Sequence, residues 1–376
     1  MGFNFNLPVN LAFGRGRFGE IGEQCARFGK HALLVISGGS AKRSGLYDRS
    51  VALLQKAGVS VTVFDSVQAN PLTTTAYSGA EAAKAAVCDV VVGVGGGSVM
   101  DAAKAIAFIA KNSGDISDYI FGRSQSDDAL PVILAPTTCG TGSEANGFAV
   151  LTNPENGDKK SLRCNAIVAK CSIIDPELME TMPRTVLASC GFDALCHCME
   201  AFVSKNASPI TDALAKSGME LAAGSLVPLF DGSGSPEQWD ALTLGATLGG
   251  MVIGIAGVTA PHALEHPASG LRNIVHGAGL AALTPAITER SVAGNPEKYA
   301  VIARILGGAD SQDCAGLIRR LLRRLELETT LGAQGIDAGD IPWMAENCMR
   351  VSAAGIAAHP TTFTQAEIAE IYNECL

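Results

Sequence analysis

Over its first half the chain alternates short apolar, β-branched runs with alanine-rich stretches of helical spacing. The runs fall at 31–36, 59–64, 89–94 and 131–135, and the helical stretches near 44–57, 74–87 and 98–111. Unbroken apolar runs, unlike alternating ones, belong to strands buried on both faces. The pattern therefore predicts a parallel α/β sheet with helices on both sides. From Pro183 onward the β-branched runs give way to longer helical patterns, as in 297–306 and 313–327. An all-helical unit is expected there, giving two domains, 1–180 and 181–376. Segment 173–184, IIDPELMETMPR, is the expected hinge, because Pro176 and Pro183 bracket a short turn or helix. The closing TFTQAEIAEIYNECL keeps Ile368, Ile371 and Tyr372 in helical phase and reads as a docked final helix.

Composition narrows the setting. At 376 residues the chain is long for one hydrophobic core, which agrees with two domains. Its 47 % hydrophobic and 17 % charged content leaves ample apolar surface to bury. A formal net charge of −9 offers no basic footprint for phosphate backbones or anionic lipid, so neither nucleic acid nor a membrane is expected as a partner. The 11 cysteines lack the regular spacing of a disulfide scaffold, and MGFNFNLPVN has no basic region leading into an apolar one. A reduced, cytoplasmic setting is expected. Segment 242–261, LTLGATLGGMVIGIAGVTAP, carries no charge and is long enough to span a bilayer. Its glycines suit close helix packing, nothing basic flanks it, and it leads straight into His262, so a central buried helix is expected instead.

Four of the six histidines fall in GFDALCHCMEAF (191–202) and PHALEHPASGLRNIVHGAG (261–279). Asp193 and His197 are four residues apart, one turn along a single helix face, with Cβ atoms about 5–6 Å apart. His262 and His266 repeat that spacing. His276 follows beyond a Pro267 to Gly270 break that would let the chain turn back. A helical hairpin can thus present imidazoles to the first helix. Burying so many polar rings without partners or an ion would cost several kcal/mol, so the spacing points to a divalent metal. Cys196 and Cys198 flank His197 but point about 100° away from it on a helix, which argues against a Cys/His zinc site.

The runs D-A-L-C-H at 193–197, H-A-L-E-H-P at 262–267 and H-G at 276–277 resemble the metal motifs of the iron-containing (group III) alcohol dehydrogenase family. The resemblance extends through FGRGRFGEIG, GGGSVMDAAK, PTTCGTGSE and IIDPELMETMP, in the same order. It implies the dehydroquinate synthase-like/iron-containing alcohol dehydrogenase fold, with an α/β NAD(P)-binding, Rossmann-like domain followed by an all-α metal-binding one. It further implies Asp193, His197, His262 and His276 as metal ligands and His266 as an active-site histidine off the metal. Three neutral imidazoles and one carboxylate leave a divalent ion near +1, enough to polarise a carbonyl. Four protein ligands already fill a tetrahedron, so an ion that accepts five or six suits the site. That agrees with the family's Fe²⁺, with Zn²⁺ or Mn²⁺ as substitutes.

The run 89–94 leads into Gly95, Gly96, Gly97 and Ser98 ahead of a helix, and Ser98 with Asp101 has capping-box spacing. Glycines admit a pyrophosphate to the backbone and the helix N-terminus attracts its charge. The resemblance extends this to GGGS-x-x-D-x-x-K, with Asp101 and Lys104 in place. It also places Thr137, Thr138 and Thr141 on the ribose and nicotinamide end, and Asn70 and Lys160 at further cofactor contacts. Where relatives that use NAD often carry an aspartate, this chain has Gly38, then Gly39 and Ser40. No carboxylate would then repel a 2′-phosphate, and Lys42 or Arg43 is at hand, so NADP(H) is expected ahead of NAD. Asp65 is assigned no role.

Cys139, Phe148 and Ile253 fall near the family's substrate pocket and suggest an apolar slot for a short primary alcohol or aldehyde. The chain reads AAHPTTFT where many relatives carry an Asn-Pro-Arg run, and His359 there is expected at the surface or the pocket rim. The expected activity is metal-dependent hydride transfer between NAD(P) and such a substrate, with His266 relaying the proton, in a homodimer or larger assembly. Two alternatives stand beside it: a dehydroquinate synthase-like lyase, for which Arg272 is the one evident basic residue near the motifs, and a non-catalytic nucleotide-binding sensor.

Overall fold

The computed structural model describes residues 2–376. Six strands form one parallel sheet: β1 (Leu11–Phe13), β2 (His31–Val35), β3 (Ser60–Phe64), β4 (Val90–Gly95), β5 (Val132–Pro136) and β8 (Cys171–Ile174), in the order β1-β8-β5-β4-β2-β3. The hairpin β6 (Phe148–Thr152) and β7 (Lys159–Arg163) stands apart from it. Strands β2 to β5 lie within one residue of the runs read from sequence. β1, β8 and the hairpin were not anticipated. β1 is three residues long, KKSLR in β7 is mostly polar, and β8 overlaps the expected hinge.

Helices α1 (Ile21–Ala26), α2 (Ser40–Arg43), α3 (Leu46–Lys56), α4 (Thr73–Ala85), α5 (Gly97–Lys111) and α6 (Ile116–Ile120) flank the sheet. Successive residues of β2 serve opposite cores: Leu33 and Val35 pack with α4 and α5, while Ala32 and Leu34 pack with Ile21 and Leu54 of α1 and α3. Burial on both faces is why the strand sequences are apolar without alternation.

After Ile174 the described chain contains no further strand. Ten helices follow: α7 (Arg184–Val203), α8 (Pro209–Phe230), α9 (Pro236–Ala256), α10 (Ala260–Arg272), α11 (His276–Ser291), α12 (Pro296–Ile305), α13 (Cys314–Arg324), α14 (Ile341–Val351), α15 (Ala353–Ala358) and α16 (Gln365–Glu374). α7 and α9 are long and apolar enough to cross a membrane by length and composition alone, but 89 % and 56 % of their most apolar windows are buried inside the protein. α9 holds the apolar segment singled out above and packs against both α7 and α8. A Cβ on Gly250 would lie 2.0 Å from the carbonyl oxygen of Gly142, and one on Gly249 would lie 3.3 Å from Cβ of His197. These glycines let α9 press against both the 136–144 turn and the helix that carries His197.

The chain does not break at Pro267. α10 continues through it to Arg272 and turns at Asn273, which adopts a left-handed conformation with φ 51°. Proline removes the N–H that would bond the carbonyl of Ala263. The Cys348 thiol donates to that oxygen instead, at 3.2 Å. The substitute bond keeps His262 and His266 on one rigid helix and moves the reversal to the three residues before His276.

Strand order reverses beside β2, between β3 on one side and β4 on the other. Crevices at such switch points, beyond the strands' carboxyl ends, are where open α/β sheets hold ligands. The Gly38–Gly39 turn after β2 and the Gly95–Gly97 turn after β4 both open there. Gly250→Ala is expected to destabilise the protein by about 1–3 kcal/mol through overpacking, whereas Gly224→Ala, exposed on α8 with open space around its Cβ, should be neutral or slightly stabilising. Urea unfolding midpoints decide this, and a Gly250→Ala variant as stable as the parent would show the contact to be slack.

Candidate metal and cofactor site

Asp193, His197 and Glu200 follow one another along one face of α7, four and three residues apart, and all three are buried. α10 supplies His262, Glu265 and His266, and α11 opens at His276. The Nε2 atoms of His262, His197 and His276 converge on Oδ1 of Asp193 at 3.3, 3.6 and 3.7 Å. The rings of His197 and His262 stack with centroids 4.5 Å apart.

The opposite nitrogen of each ring has its own anchor. Nδ1 of His262 lies 2.5 Å from Oε1 of Glu200, and Nδ1 of His276 lies 2.5 Å from Oε2 of Glu265. Nδ1 of His197 faces the Gly140 carbonyl at 3.4 Å. Hydrogen-bonded anchors of this kind, as at His262, put the proton on Nδ1 and leave the Nε2 lone pair free to bind a metal, whereas the His276–Glu265 contact is a close ion pair without hydrogen-bond geometry. Glu200 is itself fixed, since the backbone N–H of Thr259 donates to its second oxygen at 2.7 Å. Neither glutamate was singled out from the sequence, although both were visible there: Glu200 lies seven residues beyond Asp193, two helical turns, and Glu265 three beyond His262.

Buried charge shows what the pocket needs. Asp193, Glu200 and Glu265 are at most 3 % exposed, and the one cation buried beside them is Lys159, 3.9 Å from Glu265. The carboxylates outnumber that ammonium, so the pocket favours a cation; without a metal the His262 proton supplies part of the missing positive charge. Burial pushes His197 down to about 4 and His266 well below its ordinary value. At His262 burial acts in the same direction but is outweighed by Glu200 and Asp193, which hold its proton up to about 10. Donors about 2.0–2.2 Å from one ion stand roughly 3–4 Å apart, the spacing found here. Asp193, His262 and His276 bring their donor atoms within 4.8 Å of one another and fit a divalent metal by donor type and spacing, while His197 joins them through its 3.6 Å approach to Asp193.

His266 stands outside the quartet, its ring 6.1 Å from His262 and 6.0 Å from His276 between centroids. It lines a cavity of about 140 Å³ together with the histidines, Phe148, Ile253 and Thr141. Cys139 does not enter that cavity. It is buried among Met179, Leu187 and Ala194 beneath the 136–144 turn, which corrects its place in the substrate pocket. His359 is also corrected: it is 1 % exposed, a core residue whose Nε2 meets the Ser291 hydroxyl at 2.7 Å and whose pKa burial lowers to about 4. The thiols of Cys196 and Cys198 face Thr284 and the Gly245 carbonyl, away from the quartet.

The glycine turn behaves differently from the sequence expectation in one respect. α5 starts at Gly97 with Gly96 before it, so Ser98 is already helical and no capping box forms. The carboxylate of Asp101 instead accepts from the Ser143 hydroxyl at 2.6 Å and the Val150 N–H at 3.0 Å. Lys104 is fully buried and donates to Ser143 and to the Phe148 carbonyl. Together they tie the 136–144 turn to α5, although Asp101 also borders the small cavity. A Cβ on Gly97 would lie 2.4 Å from Thr141, so the two turns interlock.

A second cavity, about 760 Å³, opens on the other side of that junction and is bordered by Ser40, Arg43, Gly95, Gly96, Thr137 and Thr138. Asn70 lines the smaller cavity and is fixed by Asn273 and the Ile274 carbonyl. Lys160 does not share that cavity. Side chains alternate along β7, so Lys159 enters it and bonds Asn70 at 2.9 Å and Ser269 at 2.7 Å. Lys160 points elsewhere and donates to the Val351 carbonyl. Of the two lysines, Lys159 and not Lys160 borders the cavity that Asn70 lines. Arg272 pairs with Asp340 and does not border either cavity.

Residues 8–176 match the family model of iron-containing alcohol dehydrogenases, and residues 187–376 match the model of that family's C-terminal region. The chain belongs to the iron-containing alcohol dehydrogenase family. A 1,3-propanediol dehydrogenase of Citrobacter freundii is 33 % identical, with 99 % of this chain and 98 % of that protein aligned. Among solved structures, an archaeal halo-thermophilic alcohol dehydrogenase from a Red Sea brine pool superposes with a TM-score of 0.96 at 32 % identity, covering 100 % and 99 % of the two chains. An NADH-dependent butanol dehydrogenase of Thermotoga maritima gives a TM-score of 0.92 at 28 % identity over 100 % and 98 %. This iron-containing alcohol dehydrogenase family member is an oxidoreductase with the family's fold and alcohol dehydrogenase activity. The lyase and sensor alternatives fall away.

If the carboxylate behind His276 tunes the site, Glu265→Gln should weaken divalent-metal affinity about 10–100-fold while leaving the far-ultraviolet dichroism unchanged. Chelator competition measures it, and unchanged affinity would refute the tuning role.

Proposed function

We propose that this enzyme interconverts a short primary alcohol and its aldehyde by hydride transfer to or from a nicotinamide cofactor, with Fe²⁺ held by Asp193, His197, His262 and His276. The reading rests chiefly on one observation: three anchored imidazoles turn their free nitrogens toward one buried carboxylate at the wall of a cavity that adjoins the glycine turn. A bound divalent ion supplies a Lewis acid for the substrate oxygen. Zn²⁺ and Mn²⁺ are the substitutes that the same donors would accept.

The chain's own groups do the rest. Glu200 and Glu265 hold His262 and His276 in orientation. His266, kept neutral by burial, is placed at the cavity wall to take up or return the alcohol proton. Phe148 and Ile253 line the slot and exclude water. The Gly95–Gly97 turn and the N-terminus of α5 receive the pyrophosphate, Thr137, Thr138 and Thr141 follow the cofactor toward the metal side, and Asn70 with Lys159 meets its nicotinamide end.

NADP(H) is favoured at the adenosine end. A Cβ on Gly38 would lie 2.7 Å from the Asp65 carbonyl oxygen, so this turn has no room for an acidic side chain. Lys42 is already paired with Asp65 at 2.5 Å. Arg43 borders the larger cavity, makes no ion pair among the described residues and lies near the Ser40 hydroxyl's turn, where a 2′-phosphate would be held. We place the enzyme in the cytoplasm as a homodimer or larger homo-oligomer, with 1–180 and 181–376 as its two domains.

Protein stripped of metal and reloaded anaerobically with Fe²⁺ should oxidise NADPH with short aldehydes, and His262→Ala should abolish this. Arg43→Ala should raise KM for NADPH about tenfold, the loss of one charge-assisted contact, with NADH little affected. Equal effects on both cofactors would remove the NADP(H) assignment, and metal-independent turnover would remove the metal mechanism.

A further inference from the structure

The wall of the small cavity away from the glycine turn is basic. Arg163, the last residue of β7, borders both this cavity and a neighbouring one of about 320 Å³. The two share Ser161, Val258 and His266 as well, so the second forms an antechamber to the first. The guanidinium of Arg163 lies 4.4 Å from the centroid of the Phe148 ring and has no carboxylate partner among the described residues. Lys160 lines the same antechamber, its ammonium donating to the Val351 carbonyl and lying 5.4 Å from the centroid of the Phe121 ring, with no carboxylate partner among the described residues. The two cations repel each other, and no acidic side chain lines the antechamber. Nearby Asp158 is occupied by Arg350 and Asn347.

Neither cation serves the metal, whose charge is balanced by Asp193, Glu200, Glu265 and Lys159. Neither serves the cofactor phosphates, because the cavity at Gly95, Gly96 and Arg43 shares no residue with the antechamber. An aliphatic alcohol has no use for them. Two like charges without a carboxylate partner beside the reacting end of the site are best satisfied by an anion on the substrate itself.

We propose that Arg163, assisted by Lys160, binds a carboxylate at the far end of the substrate, so that the enzyme acts on short ω-carboxylated aldehydes and their alcohols. This rests on the dehydrogenase reading above and replaces a wholly apolar slot with an apolar slot that ends in a cationic clamp. Arg163 is a specificity residue here, with Phe148 holding the plane of its guanidinium.

The test compares butanal with 4-oxobutanoate, which differ by the terminal carboxylate, as substrates of the Fe²⁺-loaded enzyme with NADPH. The parent should prefer 4-oxobutanoate in kcat/KM by about tenfold or more. Arg163→Ala should erase that preference through KM while butanal stays within about threefold, and Arg163→Lys should restore part of it. A parent that prefers butanal, or a variant that loses both substrates equally, overturns the proposal. Calorimetric binding of 4-hydroxybutanoate to the same proteins separates this claim from the one beneath it. Binding that requires Arg163, in an enzyme that turns over neither aldehyde, would retain the anion clamp and sink the dehydrogenase reading. Turnover of butanal with no Arg163-dependent anion binding would do the reverse.

Discussion

Three carboxylates buried within a helical core govern this structure. Asp193, Glu200 and Glu265 sit in surroundings where an uncompensated charge costs several kcal/mol, and each is answered by an imidazole, by Lys159 or by backbone N–H groups. What those partners leave over is an excess of carboxylate charge beside the three Nε2 atoms, which favours a cation there. The same glutamates orient the imidazoles, so charge balance and ligand geometry are solved by the same residues.

The scaffold brings α7, α10 and α11 together around that cluster and then brings the nucleotide crevice to it. Close glycine contacts let α9 lie against α7 and against the 136–144 turn, and the tie between Lys104, Asp101 and Ser143 fixes that turn on α5. The pyrophosphate turn and the metal cluster consequently border cavities that adjoin at Gly96 and Gly97. Fold and site are coupled through backbone approach distances, which explains why small residues recur at the seams. Polarity is graded along the site as well: the nucleotide end offers Arg43, the metal end is neutral when loaded, and the antechamber is positive.

Much of this was legible in the chain. Apolar runs located β2 to β5 to within a residue, although β3 is a partly exposed edge strand, and helical spacing brought Asp193, His197, His262, His266 and His276 forward as a group from which the family resemblance set His266 apart. What escaped had physical reasons. A three-residue edge strand such as β1 has too few residues for a pattern. In β7 the choice between Lys159 and Lys160 is a question of strand parity, which is settled by pairing with β6 and not by composition. Cys139 and His359 were placed by proximity in sequence to pocket motifs, yet both turn into the core. Pro267 read as a break because the Cys348 thiol that completes the carbonyl it frees lies 81 residues away. Glu200 and Glu265 stand at helical spacing from Asp193 and His262, but each meets a ring on a different helix, and that pairing is set by packing and not by local sequence.

The central claim is that these buried carboxylates create a site for one dication per chain. Thermal unfolding of metal-stripped protein, with and without Fe²⁺ or Zn²⁺ and with metal content assayed after dialysis, tests it most directly. The account predicts one ion retained per chain and a clear rise in the unfolding midpoint, amounting to about 2.7 kcal/mol when the free ion is a hundred times its Kd, both lost in Asp193→Asn. No retained ion and an unchanged midpoint, or an Asp193→Asn protein that binds as well as the parent, would contradict it.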